Sequence, residues 1–272
     1  MPFDAKDYKY KGFIVSEIET GFIHLQLNNP ANYNAFNDEL WQAYGEILTK
    51  LDEDPDTNVI LISSTSPKAF SSGLDLKAAL QTFGSVKASD DKQRYAYLRD
   101  HIDKFQAAIG KPATINTPTI SVLNGINYGL AMDMASAYSI RFATGDAKFS
   151  IREIKIGIAA DIGSLQRMPS VVNNKSLLFQ HALLGDVFDA AEALSMGFVS
   201  KVFSDMKTAI NYAIEIGSDI NGNQQWAIKT TKKFIQERLD GVTTEEGLKN
   251  VAHSNATNIG GDFLDAMSAV KL

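Results

Sequence analysis

The stretch that decides the fold reads SVLNGINYGLAMDMASAYSIRFATGDAKFSIREIKIGIAADIGSLQR, residues 121–167. Its approach, residues 120–123, is apolar and of strand length. Asn124-Gly125 follows as a turn, because both residues tolerate the left-handed backbone that tight turns demand. Residues 126–129 read as a loop, and Leu130, Ala131, Met132 and Asp133 open a small-residue helix. Glu153 and Asp161 come next, each inside an apolar run. Burying a carboxylate is costly unless it is paired or protonated. Its pKa therefore rises, and it becomes a candidate general acid or base. The same acids could instead cap helices or pair with Arg141, Arg152 or Arg167, and both readings stand at this point.

Composition narrows the classes. At 272 residues, 44% hydrophobic and 21% charged, the chain suits one large soluble domain, or a domain with an appendage. A net charge of −6 gives no global basic footprint, so no nucleic-acid partner is expected. Cysteine is absent, which removes disulfides, thiolate catalysis and Cys-ligated metals. His24, His101, His181 and His253 are scattered without metal-ligand spacing, and no metal is expected. Neither a G-x-S-x-G elbow nor a P-loop occurs, which weakens serine-hydrolase and NTPase readings. No apolar run reaches membrane-spanning length, so no membrane partner is expected. The opening residues, MPFDAKDYKYKG, lack a signal-peptide core and carry acids that a mitochondrial presequence avoids. The final Val270-Lys271-Leu272 resembles a peroxisomal Ser-Lys-Leu address with its first residue changed.

Residues 13–19 and 22–28 read as paired strands around a turn at Glu19-Thr20-Gly21. Asn29-Pro30 breaks the pattern. Asn37 is a predicted N-cap for a helix to about Glu53, with Leu40, Trp41, Tyr44, Ile47, Leu48 and Leu51 on one face. Residues 59–62 have the character of a buried strand, and residues 67–76 form a loop running into a helix. Residues 85–91 are polar and read as a mobile loop. Residues 91–109 read as a helix with Tyr95, Leu98, Ile102 and Phe105 on one side. Helices are expected at 175–184 and 189–196, stopped by Gly185 and Gly197, and a short strand at 201–203. From Asp205 the chain reads as helical, with breaks near Gly222, Gly241 and Gly260. Strands alternating with helices, then helices alone, predict an α/β core with a helical C-terminal part. Trp41, Phe105 and Phe149 are expected in the core.

Several pieces together resemble the enoyl-CoA hydratase/isomerase (crotonase) superfamily. They are Asn29-Pro30 with Asn34-Ala35-Phe36, then Ala69-Phe70-Ser71-Ser72-Gly73-Leu74-Asp75-Leu76, then Asn124-Gly125 before a glycine-containing loop. The likeness runs in register over residues 13–203 and more loosely beyond. Residues 152–169, REIKIGIAADIGSLQRMP, resemble specifically the Δ3,5-Δ2,4-dienoyl-CoA isomerase branch. The resemblance implies an α/β fold: a crotonase-like spiral of ββα units over residues 1–203, holding the acyl-CoA site, and a C-terminal helical trimerisation region over residues 204–272. It also implies acyl-CoA as substrate, no cofactor beyond the coenzyme A that the substrate carries, and a homotrimer or dimer of trimers.

By register, Asp161 falls where the branch has the base that takes the C2 proton, and Glu153 where it has the acid that protonates C6. Asp133 falls at a third acidic position with a positioning or electrostatic role. The separations of 20 and 8 residues agree with the branch. Leu74 and Leu130 fall at the two backbone N–H donors of the family's oxyanion hole, with Gly129-Leu130-Ala131 standing where many members have Gly-Gly-Gly. Ala69, Ser72, Gly73, Asp75, Leu76, Lys77 and Gly129 fall where the family contacts substrate or CoA. Lys232 falls near the CoA phosphates, although an exposed helical lysine is the plainer reading. The chemistry asks for the same equipment. A C2 proton beside a thioester is a poor acid, and its enolate needs preorganised donors. Shifting two double bonds also requires proton delivery far along the chain, which two separated carboxylates can serve.

Three rivals are defined by the same residues. An enoyl-CoA hydratase holds water between two glutamates, at the positions of Asp133 and Glu153, and typically has no acid at that of Asp161. A Δ3-Δ2-enoyl-CoA isomerase needs one acid, often at Asp161. An inactive crotonase-fold protein that binds CoA or RNA would not need three acids. The C-terminal tripeptide and the implied lipid substrate favour a peroxisomal location, with cytoplasmic or mitochondrial as alternatives.

Overall fold

The computed structural model describes residues 3–84 and 90–260, with Phe263 and Met267 beyond them. The polar segment 85–89, Leu264 and the tripeptide Val270-Lys271-Leu272 lie outside the described residues. Strands β1 (Phe13–Glu19) and β2 (Phe22–Leu27) pair antiparallel around the expected turn. Helix α1 (Asp38–Glu53) starts where its sequence says, because Asn37 Oδ1 accepts the Leu40 N–H at 3.0 Å. All six apolar positions read onto one face of α1 are buried. Each such side chain stabilises the fold by roughly 1.5–3 kcal/mol relative to exposure. Strand β3 (Val59–Ser64) follows, buried along its whole length.

From β3 onward the chain repeats one manoeuvre. A strand enters a large sheet, a short strand enters a small sheet, and helical structure returns the chain. The first turn runs through β3, β4 (Ala69–Ser71), α2 (Leu76–Gly84), α3 (Asp91–Ile109) and α4 (Lys111–Thr114). The second comprises β5 (Thr119–Leu123), β6 (Ile126–Tyr128) and α5 (Leu130–Ala137). The third has β7 (Ile140–Thr144), β8 (Lys148–Ser150), a 3-10 turn (Glu153–Ile156), α6 (Ser164–Val171) and α7 (Lys175–Leu184). Then come β9 (Phe188–Asp189), α8 (Ala190–Ser195) and β10 (Lys201–Phe203), and finally α9 (Met206–Asn221), α10 (Gln225–Leu239) and α11 (Thr244–Asn258). The large sheet has the order β1-β2-β3-β5-β7-β10 and the small one β4-β6-β8-β9. The result is the expected α/β spiral followed by a helical C-terminal region.

Two differences from the sequence reading have physical reasons. Residues 126–128, read as loop, form β6, because β4 and β8 present parallel edges on either side of it. Tyr95, expected inward on α3, is 67% exposed: only the second half of that helix reaches the core, through Phe105, Ala108 and Ile109. The helical region packs against the spiral at its start. Ala209, Ala213 and Gly217 of α9 form a small-residue stripe that lets the helix lie on the back of the large sheet. A Cβ at Gly217 would stand 2.1 Å from the Phe22 ring. Trp41, Phe105 and Phe149 are buried core aromatics, as expected.

Candidate active site

Two sequence segments interlock to build one wall of the site. Asn34 sits in the left-handed region at φ 52°. Its Nδ2 donates to Ser64 Oγ at 2.7 Å and to the Phe70 carbonyl at 2.9 Å, while its Oδ1 accepts the Asn29 N–H at 2.7 Å. Ser71 Oγ donates to the Asn34 carbonyl at 2.7 Å and accepts the Gly73 N–H at 3.1 Å. Phe36 N–H then donates to the Gly73 carbonyl, and Asp75 N–H to the Phe36 carbonyl, both at 2.8 Å. In this parallel bridge Phe36 bonds the neighbours of Leu74, so the N–H of Leu74 points the other way. Gly73 (φ +96°) is required here, since a Cβ would lie 2.5 Å from the Tyr128 carbonyl oxygen and 3.4 Å from the Leu130 nitrogen. Leu130 is the first residue of α5, and its N–H has no acceptor within the helix. The Leu130 side chain is 3% exposed and packs into the core, so it does not protrude where a glycine is common.

The acids lie on α5, on the 3-10 turn after β8, and in the loop before α6. Asp133, in the first turn of α5, is 1% exposed, and its Oδ1 accepts the backbone N–H of Ser164 at 2.7 Å. Burial pushes its carboxyl up to about 7, and the charge of Glu153 adds to this, while bonds from Ser164 and the charge of Arg167 oppose it. Glu153 opens the 3-10 turn. Its Oε1 would lie 3.2 Å from a Cβ at Gly129, and its buried Oε2 takes no hydrogen bond from the described residues. Burial pushes Glu153 up too; the charge of Asp161 adds, and nearby backbone N–H groups oppose. Asp161 is partly exposed in the loop before α6. Burial raises it, while its own N–H and the imidazole of His101 pull it back. The Asp161 carbonyl accepts from Gln106 Nε2 at 2.5 Å, which ties its loop to α3.

The structure thus brings Asp133, Glu153 and Asp161 into one electrostatic chain. The helix-cap alternative is realised for Asp133, at the first residue of α6, alongside its burial. Among the described residues, none of the three forms an ion pair with Arg141, Arg152 or Arg167. Arg152 instead stands over the Tyr128 ring at 4.8 Å. Arg141 donates to the carbonyls of Phe198 and Tyr138. Among the described residues, no group of three or more His, Asp or Glu side chains could hold a metal ion.

The expected CoA contacts divide by exposure. Leu76 and Lys77 are exposed, at the start of α2, and Asp75 caps that helix by accepting the N–H groups of Lys77 and Ala78 at 3.0 and 3.1 Å. Ser72 is half-buried and donates its N–H to the Tyr33 carbonyl at 2.9 Å; Gly129 is half-buried beside Glu153. Ala69 is fully enclosed, and its carbonyl accepts from Ser64 Oγ at 2.8 Å, so it lies one layer beneath that surface. Lys232 departs from both of its readings. It is buried, and its Nζ donates to the carbonyls of Pro112 and Ile115 at the end of α4, which have no helical partner. Burial lowers it to about 8, with Asp52 opposing. A cavity of about 640 Å³ is lined by Tyr138, Arg141, Arg167, Lys232, Ile235 and Leu239 among others, and by none of the three acids. The sequence reading missed Ser164 and Gln106 as partners of the acids. Gln106 follows Ile102 by four residues, one helical turn, and that spacing was its available signal.

Residues 17–258 match the family described as enoyl-CoA hydratase/isomerase. The chain is 34% identical over 252 residues to the mitochondrial Δ(3,5)-Δ(2,4)-dienoyl-CoA isomerase of Mus musculus, covering 89% of this chain and 76% of that one. It is 33% identical over 266 residues to the peroxisomal enzyme of the same name from Arabidopsis thaliana, covering 97% and 95%. Among solved structures, the enoyl-CoA hydratase of Bacillus anthracis superposes with a TM-score of 0.83 at 23% identity, covering 95% of both chains. That of Mycobacterium smegmatis superposes at 0.79 and 22% identity, also covering 95% of both chains. These superpositions speak for the fold alone.

Proposed function

The chain belongs to the enoyl-CoA hydratase/isomerase family and is an enzyme of that family acting on acyl-CoA; from that premise we propose that it converts 3,5-dienoyl-CoA to 2,4-dienoyl-CoA in fatty-acid β-oxidation. One observation carries this reading: three buried or half-buried carboxylates act on one another in a chain, Asp161 on Glu153 and Glu153 on Asp133. Asp161 takes the C2 proton. The electron pair released moves onto the thioester oxygen, where the N–H groups of Leu74 and Leu130 form an oxyanion hole, reinforced by the N-terminal dipole of α5. Glu153 then delivers a proton to C6. The double bonds move from C3 and C5 to C2 and C4, and no atom is gained or lost. The electrostatic order suits these roles, because ionised Asp161 raises Glu153 and so keeps the acid protonated while the base is charged. Asp133, fixed on the N–H of Ser164, stays in place and feels the charge of Glu153.

The exposed ends of Leu76 and Lys77 suit the CoA moiety, while Gly73, Asp75 and Gly129 shape the thioester turn. Exposed apolar side chains on α10 and α11, Ile235 and Leu248, favour a homotrimer or dimer of trimers. Relatives named mitochondrial and peroxisomal favour one of those two organelles, with the peroxisome preferred on the tail Val270-Lys271-Leu272. Removing that tail from a fluorescent fusion should release it to the cytosol. The decisive test of activity is incubation of the purified protein with 3,5-dienoyl-, 3-enoyl- and 2-enoyl-CoA, followed by ultraviolet absorbance and product mass. Turnover of the diene at constant mass is expected; addition of water to 2-enoyl-CoA as the main reaction would sink the proposal.

A further inference from the structure

Arg167 lies one turn into α6 with its guanidinium folded back over the start of its own helix. Its Nε donates to Ser136 Oγ at 3.0 Å, and its Nη2 to the carbonyls of Asp133 at 2.9 Å and Ile162 at 3.1 Å. Ser136 Oγ in turn donates to the Asp133 carbonyl at 2.8 Å. The carboxylate of Asp133 is held by Ser164, the first residue of that same α6. One helix therefore grips Asp133 at both its carboxylate and its carbonyl, and grips the loop of Asp161 through the next residue, Ile162. Among the described residues the guanidinium makes no ion pair with a carboxylate, and its hydrogen bonds go to one hydroxyl and two backbone carbonyls, which set positions. Gly163 makes room for it: at φ +126°, a Cβ there would stand 2.2 to 2.4 Å from the guanidinium atoms.

We propose that Arg167 is the positioning residue of this site, one planar cation that fixes the separation of Asp133 and Asp161 and holds positive charge behind Asp133. The inference rests on the reading of these acids as the proton-transfer groups of an acyl-CoA isomerase. The fork is specific to arginine: a lysine carries the charge but cannot span Ser136, Asp133 and Ile162 together. The groups that face Asp133 are Glu153 from the 3-10 turn, Arg167 and the N–H of Ser164 from α6. Those that act on Arg167 are Asp133, Tyr44 from α1 and Asp240 at the end of α10. Removing Arg167 thus leaves Asp133 facing Glu153 with only Ser164 in opposition.

The experiment compares Arg167→Gln, Arg167→Lys and Ser136→Ala in the full chain, with two readouts. The first is kcat and KM for 3,5-dienoyl-CoA. The second is the titration midpoint of Asp133, followed by carboxyl carbon NMR without substrate. Arg167→Gln should lose ~10- to 100-fold in kcat at little change in KM, as expected when reacting groups are misplaced, and should move the Asp133 midpoint up by ~1 unit or more. Arg167→Lys should lose rate while leaving the midpoint near that of the parent, and Ser136→Ala should lose rate more mildly. An unmoved midpoint in Arg167→Gln, or parental kcat in Arg167→Lys, overturns the inference. If Arg167→Gln does not fold, parental kcat in Arg167→Lys still overturns it. If the parent fails to isomerise the diene while the midpoint still moves, the substrate assignment falls and the role of Arg167 at Asp133 stands.

Discussion

Asp133 Oδ1 accepts the backbone N–H of Ser164 at 2.7 Å, so one buried carboxylate both belongs to the acid chain and caps the helix that carries Arg167. Fold stability and site geometry are therefore linked through a single titrating group. Its folded pKa, about 7, lies above the ordinary carboxylate value of 3.8. A raised carboxylate binds its proton more tightly in the folded state. Its contribution is fully present below the unfolded pKa and is lost as pH rises toward about 7. A shift of this size corresponds to a loss on the order of 4 kcal/mol. The variant Asp133→Asn keeps an oxygen for Ser164 and has no proton to lose. Denaturant unfolding from pH 4 to 8 should show the parent losing stability relative to Asp133→Asn across that range. Parallel curves would contradict the linkage.

Gly163→Ala tests the space that Arg167 occupies. A side chain at φ +126° is strained by ~1–3 kcal/mol, and its Cβ would displace a guanidinium now 2.2 Å away. The melting temperature should fall, and kcat should fall with it toward the level of Arg167→Lys. A variant that melts lower but retains parental kcat would separate the backbone strain from the site.

Lys232→Met tests how α10 is anchored. The methionine keeps the length of the side chain but leaves the carbonyls of Pro112 and Ile115 without their donor. Each buried acceptor left unpaired costs ~1–3 kcal/mol. The expected result is a drop in unfolding free energy with KM for the CoA substrate little changed. A large rise in KM at unchanged stability would restore the reading of Lys232 as a phosphate contact.

The contrast between α1 and these residues shows what a linear reading reaches. Asn37, its cap bond and the six buried positions of α1 are settled within one helix, by spacing that the sequence displays. β4, β6 and β8 hold three residues each, too few for a period to register, and exist because their neighbours supply edges. The sequence offers a register for the acids because whole motifs flank them. Their partners were not: Ser164 and Asp133 are 31 positions apart, and Lys232 and Pro112 are 120 apart. Arg167 could be suspected as a charge partner for an acid, but the sequence does not reveal that it binds carbonyls instead.

Ile156, Ile158, Phe179 and Leu183 are 55%, 51%, 67% and 66% exposed on the 3-10 turn, the loop that follows it and α7, while Ile235 and Leu248 are 60% and 66% exposed on α10 and α11. This much uncovered apolar surface is costly in water and favours association. Light scattering at micromolar concentration should give three or six copies, and Phe179→Asp or Leu248→Asp should lower that number. A monomeric parent would rule the assembly out.

The division of labour between Asp161 and Glu153 is the sharpest test of the mechanism. Asp161→Asn is nearly isosteric but cannot accept a proton, so exchange of the C2 hydrogen with deuterated solvent should stop together with isomerisation. Glu153→Gln leaves the base and both N–H donors in place. The enolate can still form, so C2 exchange should continue in part while the double shift is blocked for want of a proton at C6. Either loss should reach ~10²- to 10⁴-fold, the usual worth of a positioned acid or base. The pH dependence carries the same assignment. Asp161 must be ionised and is raised by burial, so the rate should climb with pH through a limb above the ordinary aspartate range. Glu153 must be protonated and is raised as well, so the rate should decline again once it ionises. In Glu153→Gln the residual C2 exchange should keep the rising limb and lose the falling one. If Glu153→Gln abolishes exchange while Asp161→Asn preserves it, base and acid are the reverse of this assignment.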